Sequence, residues 1–197
     1  IGIIGILSAI TVLVINPSIL DKVKVSTAAS DQRQLQSAAV LYRTHIGFYP
    51  PDTNRGWDPG FARALPYNLD PGHEGDCAIT TPCPGLSQQP LPNWPPDWET
   101  LKTRVQSNWQ GPYIINWPRN TPWNGKYDYN YWPDGANRPG CDGISPLPVP
   151  PGIYIGVQED YNDQNAIPAS AEQLMLDRGL DSDGCLNGES QMLLKKL

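Results

Sequence analysis

Charge is scarce in this chain. Acidic and basic residues make up 17% of its 197 positions, against roughly 25% in an ordinary globular protein. The balance is acidic, with a formal net charge of −6, and no basic run occurs. A sequence-independent grip on DNA or RNA needs clustered Lys and Arg, so no nucleic-acid partner is expected. Histidine occurs only as His45 and His73, with no HExxH and no nucleophile-elbow motif. The expectation is a protein that is not an enzyme. Phenylalanine is also nearly missing, with two residues. Seven Trp and nine Tyr must therefore supply the aromatic bulk of a core.

CxxC pairs and Cys/His clusters at zinc spacing are absent, which argues against metal-binding thiols. Four cysteines are present, Cys77, Cys83, Cys141 and Cys185, and two disulfides in an oxidising compartment are the better reading. Four cysteines allow three connectivities. The short loop between Cys77 and Cys83 favours that pair, which leaves Cys141–Cys185 to staple two distant segments. Proline and glycine, 22 and 18 residues, make about a fifth of the chain, which is loop-rich but short of the range that signals disorder.

Against this polar background the first fifteen residues carry no charge. Ile1, Gly2, Ile3, Ile4, Gly5, Ile6, Leu7, Ile10, Val12, Leu13, Val14 and Ile15 form an apolar run broken only by small residues and Thr11. A bilayer-spanning helix needs about 20 residues, so the run is slightly short. A secretory signal peptide fits poorly, since there is no basic n-region and no small-x-small cleavage site before the polar chain. The expectation is that the remainder of the segment lies upstream of Ile1.

Next comes "SILDKVKVSTAASDQRQLQSAAVLYRTHIGFYPPD". Ile19, Val23, Ala28, Leu35, Ala38, Ala39 and Tyr42 recur mostly at three- and four-residue intervals, with charges on other faces. This spacing predicts an amphipathic helix. Pro17 predicts a kink, because it removes a backbone donor. Gly47 ends the pattern and Pro50-Pro51 prevent a restart. The two parts together predict one helix of about 45 residues, roughly 70 Å long.

The blocks "IIGILSAI" (3–10), "SDQRQLQSAAVLYRTHIGFYPPD" (30–52), "GPYI" (111–114) with "TPWNGKYDYNY" (121–131), and "AEQLMLDRGLDSDGCLNGES" (171–190) carry a resemblance. Together they resemble the type IV pilins and the pseudopilins of type II secretion. The helix is covered closely, the later blocks in patches, and the insert 54–96 has no counterpart. The family's cleavage-site glycine, methylated phenylalanine and nearby glutamate are not in this sequence. Thr121 stands where the pseudopilin block usually has Asp.

The resemblance implies an α+β fold, with a long N-terminal helix, hydrophobic and then amphipathic, packed on a small antiparallel sheet with extended loops. It divides the chain into a membrane or filament-core segment (1–17, including Pro17), an amphipathic helix (18–47) and a globular head (48–197) containing the loop-rich insert 54–96. Within the head, "DWETLKTRVQSNW" reads as a helix capped by Asp97. "KYDYNYW" and "GIYIGVQ" alternate as strands. "PASAEQLMLDRG" reads as a helix with Pro near its start and Gly at its end, and "SQMLLKKL" as a strand or helix. Short turns between the strands are expected.

Asp181, Asp183, Asn187 and Glu189 cluster in "DSDGCLNGE". Hard oxygen ligands on a glycine turn suit Ca²⁺, and the resemblance to major pseudopilins implies such a site. The simpler reading is a pair of Asx turns. "EDYND" at 159–163 reads as a solvated acidic loop. The Trp- and Tyr-rich segments suit either sugar stacking or a core, and the shortage of Phe favours the core.

The function expected from the resemblance is structural: a subunit that assembles through its hydrophobic helix into a homo-oligomeric helical filament. It would wait in the inner membrane, be handled by a pilus or secretion assembly machinery, and end in an extracellular filament or a periplasmic pseudopilus. Type IV pilin and pseudopilin are the two leading alternatives, and a membrane-tethered carbohydrate-binding domain is a third.

Overall fold

A computed structural model describes residues 17–50, 52–53, 55–64, 98–132, 135–142 and 144–196. The apolar run from Ile1 to Ile15, most of the insert including Cys77, Cys83 and His73, and the proposed cap Asp97 lie outside the described residues. So does any kink between the apolar run and Pro17.

The first element, α1, is Pro17–Ile46. No proline or glycine interrupts it after Pro17. It stops where predicted, at Gly47, whose φ of +95° is a left-handed conformation that favours glycine. One face is buried: Val25, Ala28, Ala29, Leu35, Ala38, Ala39, Tyr42 and Ile46. The alanines give little bulk, so the partner surface must bring large side chains. It does so with tyrosines.

Those tyrosines come from β1 (Lys126–Trp132). Tyr127, Tyr129 and Tyr131 alternate toward α1, and all three are buried. The Tyr127 hydroxyl donates to Asp31 on the helix, and the Tyr129 hydroxyl donates to the Pro50 carbonyl at 3.1 Å. Gln32 is the polar exception on the buried helix face. Its Nε2 donates to the Ile155 carbonyl at 3.1 Å, a bond that ties the helix to the sheet's central strand.

A second helix, α2 (Trp98–Asn108), precedes β1. Two short strands, β2 (Ala136–Pro139) and β3 (Pro146–Val149), follow it as an antiparallel hairpin. Then come β4 (Gly152–Gln158), α3 (Ala169–Asp177) and β5 (Ser190–Lys196). The main sheet has the order β1-β4-β5, antiparallel throughout. The expected α+β class with a small antiparallel sheet is therefore present. The expected short turns between strands are not: the β2–β3 hairpin separates β1 from β4, and α3 separates β4 from β5. The helix predicted over 168–179 is present, and 190–196 resolves as a strand.

The core is aromatic. Tyr42 meets Phe61 edge-on at 6.1 Å and Tyr113 at 6.0 Å, and Phe61 meets Tyr129 at 5.7 Å. Phe61 is carried in by a loop closed on Asp58. That carboxylate accepts N–H bonds from Gly60, Phe61, Ala62 and Arg63 at 2.6–3.1 Å. Trp57 and Trp123 are also buried. These rings form the core or pack against it.

Candidate functional site

The side of α1 turned away from the sheet is the first candidate. Ile19, Leu20 and Val23 are exposed at its N-terminal end, and Val40 and Leu41 at its C-terminal end. Two open grooves run along it. One, of about 540 Å³, is lined by Ile19, Lys22, Val23, Ser26, Thr27, Ser30 and Asp31. The other, of about 790 Å³, lies between α1 and the segment 113–116. The segment is held by packing: Tyr113 sits against Tyr42, His45 and Trp109, and its hydroxyl lies 3.2 Å from His45 Nδ1. The "GPYI" block is thus pinned to α1 by its tyrosine. Its neighbour Ile115 is left 90% exposed.

The second candidate is the acidic loop between α3 and β5. Asp183 Oδ1 accepts the Cys185 N–H at 2.8 Å and Oδ2 accepts from Asn187 Nδ2 at 2.9 Å. Asn187 Oδ1 accepts the Glu189 N–H at 3.1 Å. These are the two Asx turns of the simpler reading. Asp181 Oδ1 accepts the Gln191 N–H at 3.1 Å, and Glu189 pairs with Arg138. Among the described residues, no group of three or more His, Cys, Asp or Glu side chains is placed to hold a metal ion. As arranged, both oxygens of Asp183 accept hydrogen bonds within the turn.

Sequence reasoning missed the acid at the centre of this loop. Glu172 is fully buried on α3, and its carboxylate accepts N–H bonds from Asn187 and Gly188 at 2.8–3.1 Å. Burial, with Asp181 and Asp183 nearby, pushes its pKa up to about 7. Burial likewise raises Asp181 to about 6, with Asp183 adding to the effect. The available signal was a glutamate between Ala171 and Met175, on the apolar side of a short helix.

A third cluster lies on the sheet face opposite α1. Asp128, Asn130 and Gln191 point there and are buried. The β2–β3 hairpin lies over them, with Arg138 close enough to Asp128 for their charges to interact. The Cys141–Cys185 disulfide ties the hairpin to the acidic loop. This is the pairing predicted for those two cysteines. Burial raises the Asp128 carboxyl to about 7, while Arg55 and Arg138 pull in the opposite direction. Asp52, whose Oδ2 accepts the Tyr131 N–H at 3.1 Å, is raised by burial and by Asp128.

The "EDYND" loop is closed by Asp160, which accepts the N–H groups of Asn162 and Gln164 and the side chain of Asn165. Glu159 is half-buried and pairs with Arg55, while Tyr161, Asn162 and Asp163 are exposed.

Among the described residues no helix is long and apolar enough to cross a membrane. The comparisons returned no matching family model, curated protein or solved structure.

Proposed function

We propose that this chain is the structural subunit of a type IV pilus-like filament, assembling through its N-terminal helix. The observation that carries the proposal is the division of labour on α1. One face is consumed by the chain's own sheet, while Ile19, Leu20 and Val23 stay exposed at the end that continues into the apolar run. A helix serving only its own domain gains nothing from that exposure. A helix that joins a bundle of like helices does, because further apolar area leaves water, at about 25 cal/mol per Å². Gly2 and Gly5 suit close helix approach, as small residues do between membrane helices.

On this proposal the subunit is held by the inner membrane before assembly, partners with copies of itself, and ends outside the cell. A pseudopilin of a secretion system is the second reading. The observation favouring it is that the two halves of the "GPYI … TPWNGKYDYNY" block share one core, through Tyr113 on Tyr42 and through buried Trp123 and Tyr127.

The test is to shear cells that make the protein and image the released material by electron microscopy, with antibody to the head. Long labelled filaments support the pilus. Protein retained in the envelope, with no labelled filaments, moves the assignment to the pseudopilus. A protein that is monomeric under both conditions removes both.

A further inference from the structure

The two most exposed large apolar side chains among the described residues are Ile115, at 90%, and Ile144, at 88%. They lie on opposite layers of the molecule. Ile115 borders the groove between α1 and the segment 113–116, on the side of the sheet faced by Tyr127, Tyr129 and Tyr131. Ile144 lies between β2 and β3, in the hairpin that covers the other face, where Asp128 and Arg138 interact.

The Ile144 turn is built rigidly. Asp142 Oδ1 accepts the N–H groups of Ile144 at 2.9 Å and Ser145 at 2.8 Å, and Oδ2 accepts from the Ser145 hydroxyl at 2.7 Å. The Gly140 N–H donates to the Ser145 carbonyl at 2.7 Å, and Cys141 is bonded to Cys185. The Ser145 hydroxyl first, and then those two N–H groups, hold the Asp142 carboxyl down to about 2. The turn therefore offers an apolar knob beside a permanent negative charge. Fixed knobs lose little side-chain entropy on docking.

The groove is complementary in both respects. Its walls include Tyr113, Ile114 and Ile115, its α1 side carries Ser30, Arg33 and Ser37, and no acid lines it. Arg33 is exposed, and no carboxylate pairs with it among the described residues. The sheet stands between groove and knob, so one chain cannot fill its own groove.

We propose that the Ile144 turn of one copy seats in the α1–Ile115 groove of a second copy, with Asp142 facing Arg33. The contact rests on the filament reading. It joins two different patches, so it is heterologous, and repetition gives an open polymer unless the rotation happens to close. Opposite charges at its rim steer docking and fix register more than they add affinity.

The test uses the full chain, with photoreactive benzoylphenylalanine in place of Ile144, in preparations mixed from ¹⁴N- and ¹⁵N-labelled protein. Irradiation is expected to give mixed-isotope products joining position 144 to peptides containing 26–37 or 113–116. Arg33→Glu, which sets like charges opposite one another, is expected to lower their yield roughly tenfold. Arg33 is exposed, so this change leaves the fold intact. Mixed-isotope products that land elsewhere on the second copy overturn this contact and leave the filament standing. So does the absence of such products in a sample where filaments are visible. Products joining position 144 to a different protein overturn self-docking, and monomer alone, without filaments, removes both proposals.

Discussion

Asn130 and Gln191, on the two outer strands of the sheet, hydrogen-bond to each other across the central strand. Asn130 Nδ2 donates to Gln191 Oε1 at 3.0 Å, and the residue that lies between them is Gly156, paired with Asp128 on one side and Gln191 on the other. A Cβ at Gly156 would sit 2.9 Å from Gln191 Oε1 and 3.2 Å from the Asp128 Cβ. Only a residue without a side chain lets the amide bridge the strand. Gly156→Ala is therefore expected to destabilise the head by about 1–3 kcal/mol, the usual cost of overpacking. Urea unfolding would show it as a lower midpoint at unchanged slope. A midpoint equal to that of the parent protein would mean that Gln191 swings aside freely.

The hairpin above that bridge is held by Cys141–Cys185, which closes a separation of 44 residues. Cross-links of this loop size typically contribute about 2–4 kcal/mol. Replacing both, Cys141→Ser with Cys185→Ala, is expected to lower stability by that amount and to expose Asp128 to water. Hydrogen exchange at β2 and β3 should rise before exchange in β1 and β4, since the disulfide anchors the hairpin and not the sheet. Uniform acceleration across all strands would contradict this order.

The buried acids set an unusual pH dependence. Asp128 and Glu172 titrate near 7 and Asp181 near 6, each raised first by burial, whereas an unfolded chain loses these protons near pH 4. Between about pH 4 and pH 7 the folded chain thus binds more protons than the unfolded one, so stability falls as pH rises. Asp142 and Asp160 are held below the usual range by hydrogen bonds, those of Ser145 first for Asp142 and those of the Asn162 and Gln164 N–H groups first for Asp160, and they work in reverse only below about pH 4. Thermal unfolding is expected to show a higher midpoint at pH 5 than at pH 7.5, with Glu172→Gln flattening the slope. A midpoint that climbs steadily over that interval would refute the assignment.

Calcium provides a separate check on the acidic loop. Asp183 already accepts two hydrogen bonds and Glu172 is occupied by the Asn187 and Gly188 amides, so a cation would compete with those donors for the same oxygens. The expected outcome is an unfolding midpoint at pH 7 that does not move in millimolar calcium. A ligand present at 10–100 times its dissociation constant stabilises by about 1.4–2.7 kcal/mol. A rise of that size, lost in Asp183→Asn, would show that the loop rearranges into a cation site.

Where periodicity was strong, the elements were legible in the residues. Gly47 stops α1, and the alternations at 126–132 and 152–158 mark β1 and β4 over their full length. The β2–β3 hairpin was not legible, because Pro139, Pro146 and Pro148 read as loop and the strands span four residues each. Without that hairpin the most informative cluster stays hidden. Alternation in "KYDYNYW" ordinarily marks a sheet with one wet face, and nothing local reveals that Asp128 and Asn130 are roofed by a segment placed over them by tertiary structure. Gln32 and Glu172 are the same case on helices. A polar residue at an apolar position signals a buried partner without naming it, and both partners, the Ile155 carbonyl and the Gly188 amide, are backbone groups distant in sequence or across a loop.

The division of α1 into a folding face and an outward face makes the assembly proposal separable from stability. Ile19 and Val23 are 55% and 58% exposed, and substitutions at such surface positions usually change stability by no more than about 0.5 kcal/mol. Val25 and Ala28, on the next stripe round the helix, are fully buried. Charging the outward stripe with Ile19→Lys and Val23→Lys should therefore leave the unfolding midpoint unchanged within error. The same pair should abolish sheared filaments, because each lysine would have to lose its water where apolar helices meet, at a cost of several kcal/mol. Ala28→Leu should do the opposite, lowering the midpoint by overpacking against the tyrosine face while leaving the outward stripe untouched. If the double lysine variant assembles as well as the parent, α1 contributes to the filament by some surface other than this one. If it fails to fold, then Ile19 and Val23 are structural, and the exposed stripe no longer supports a filament.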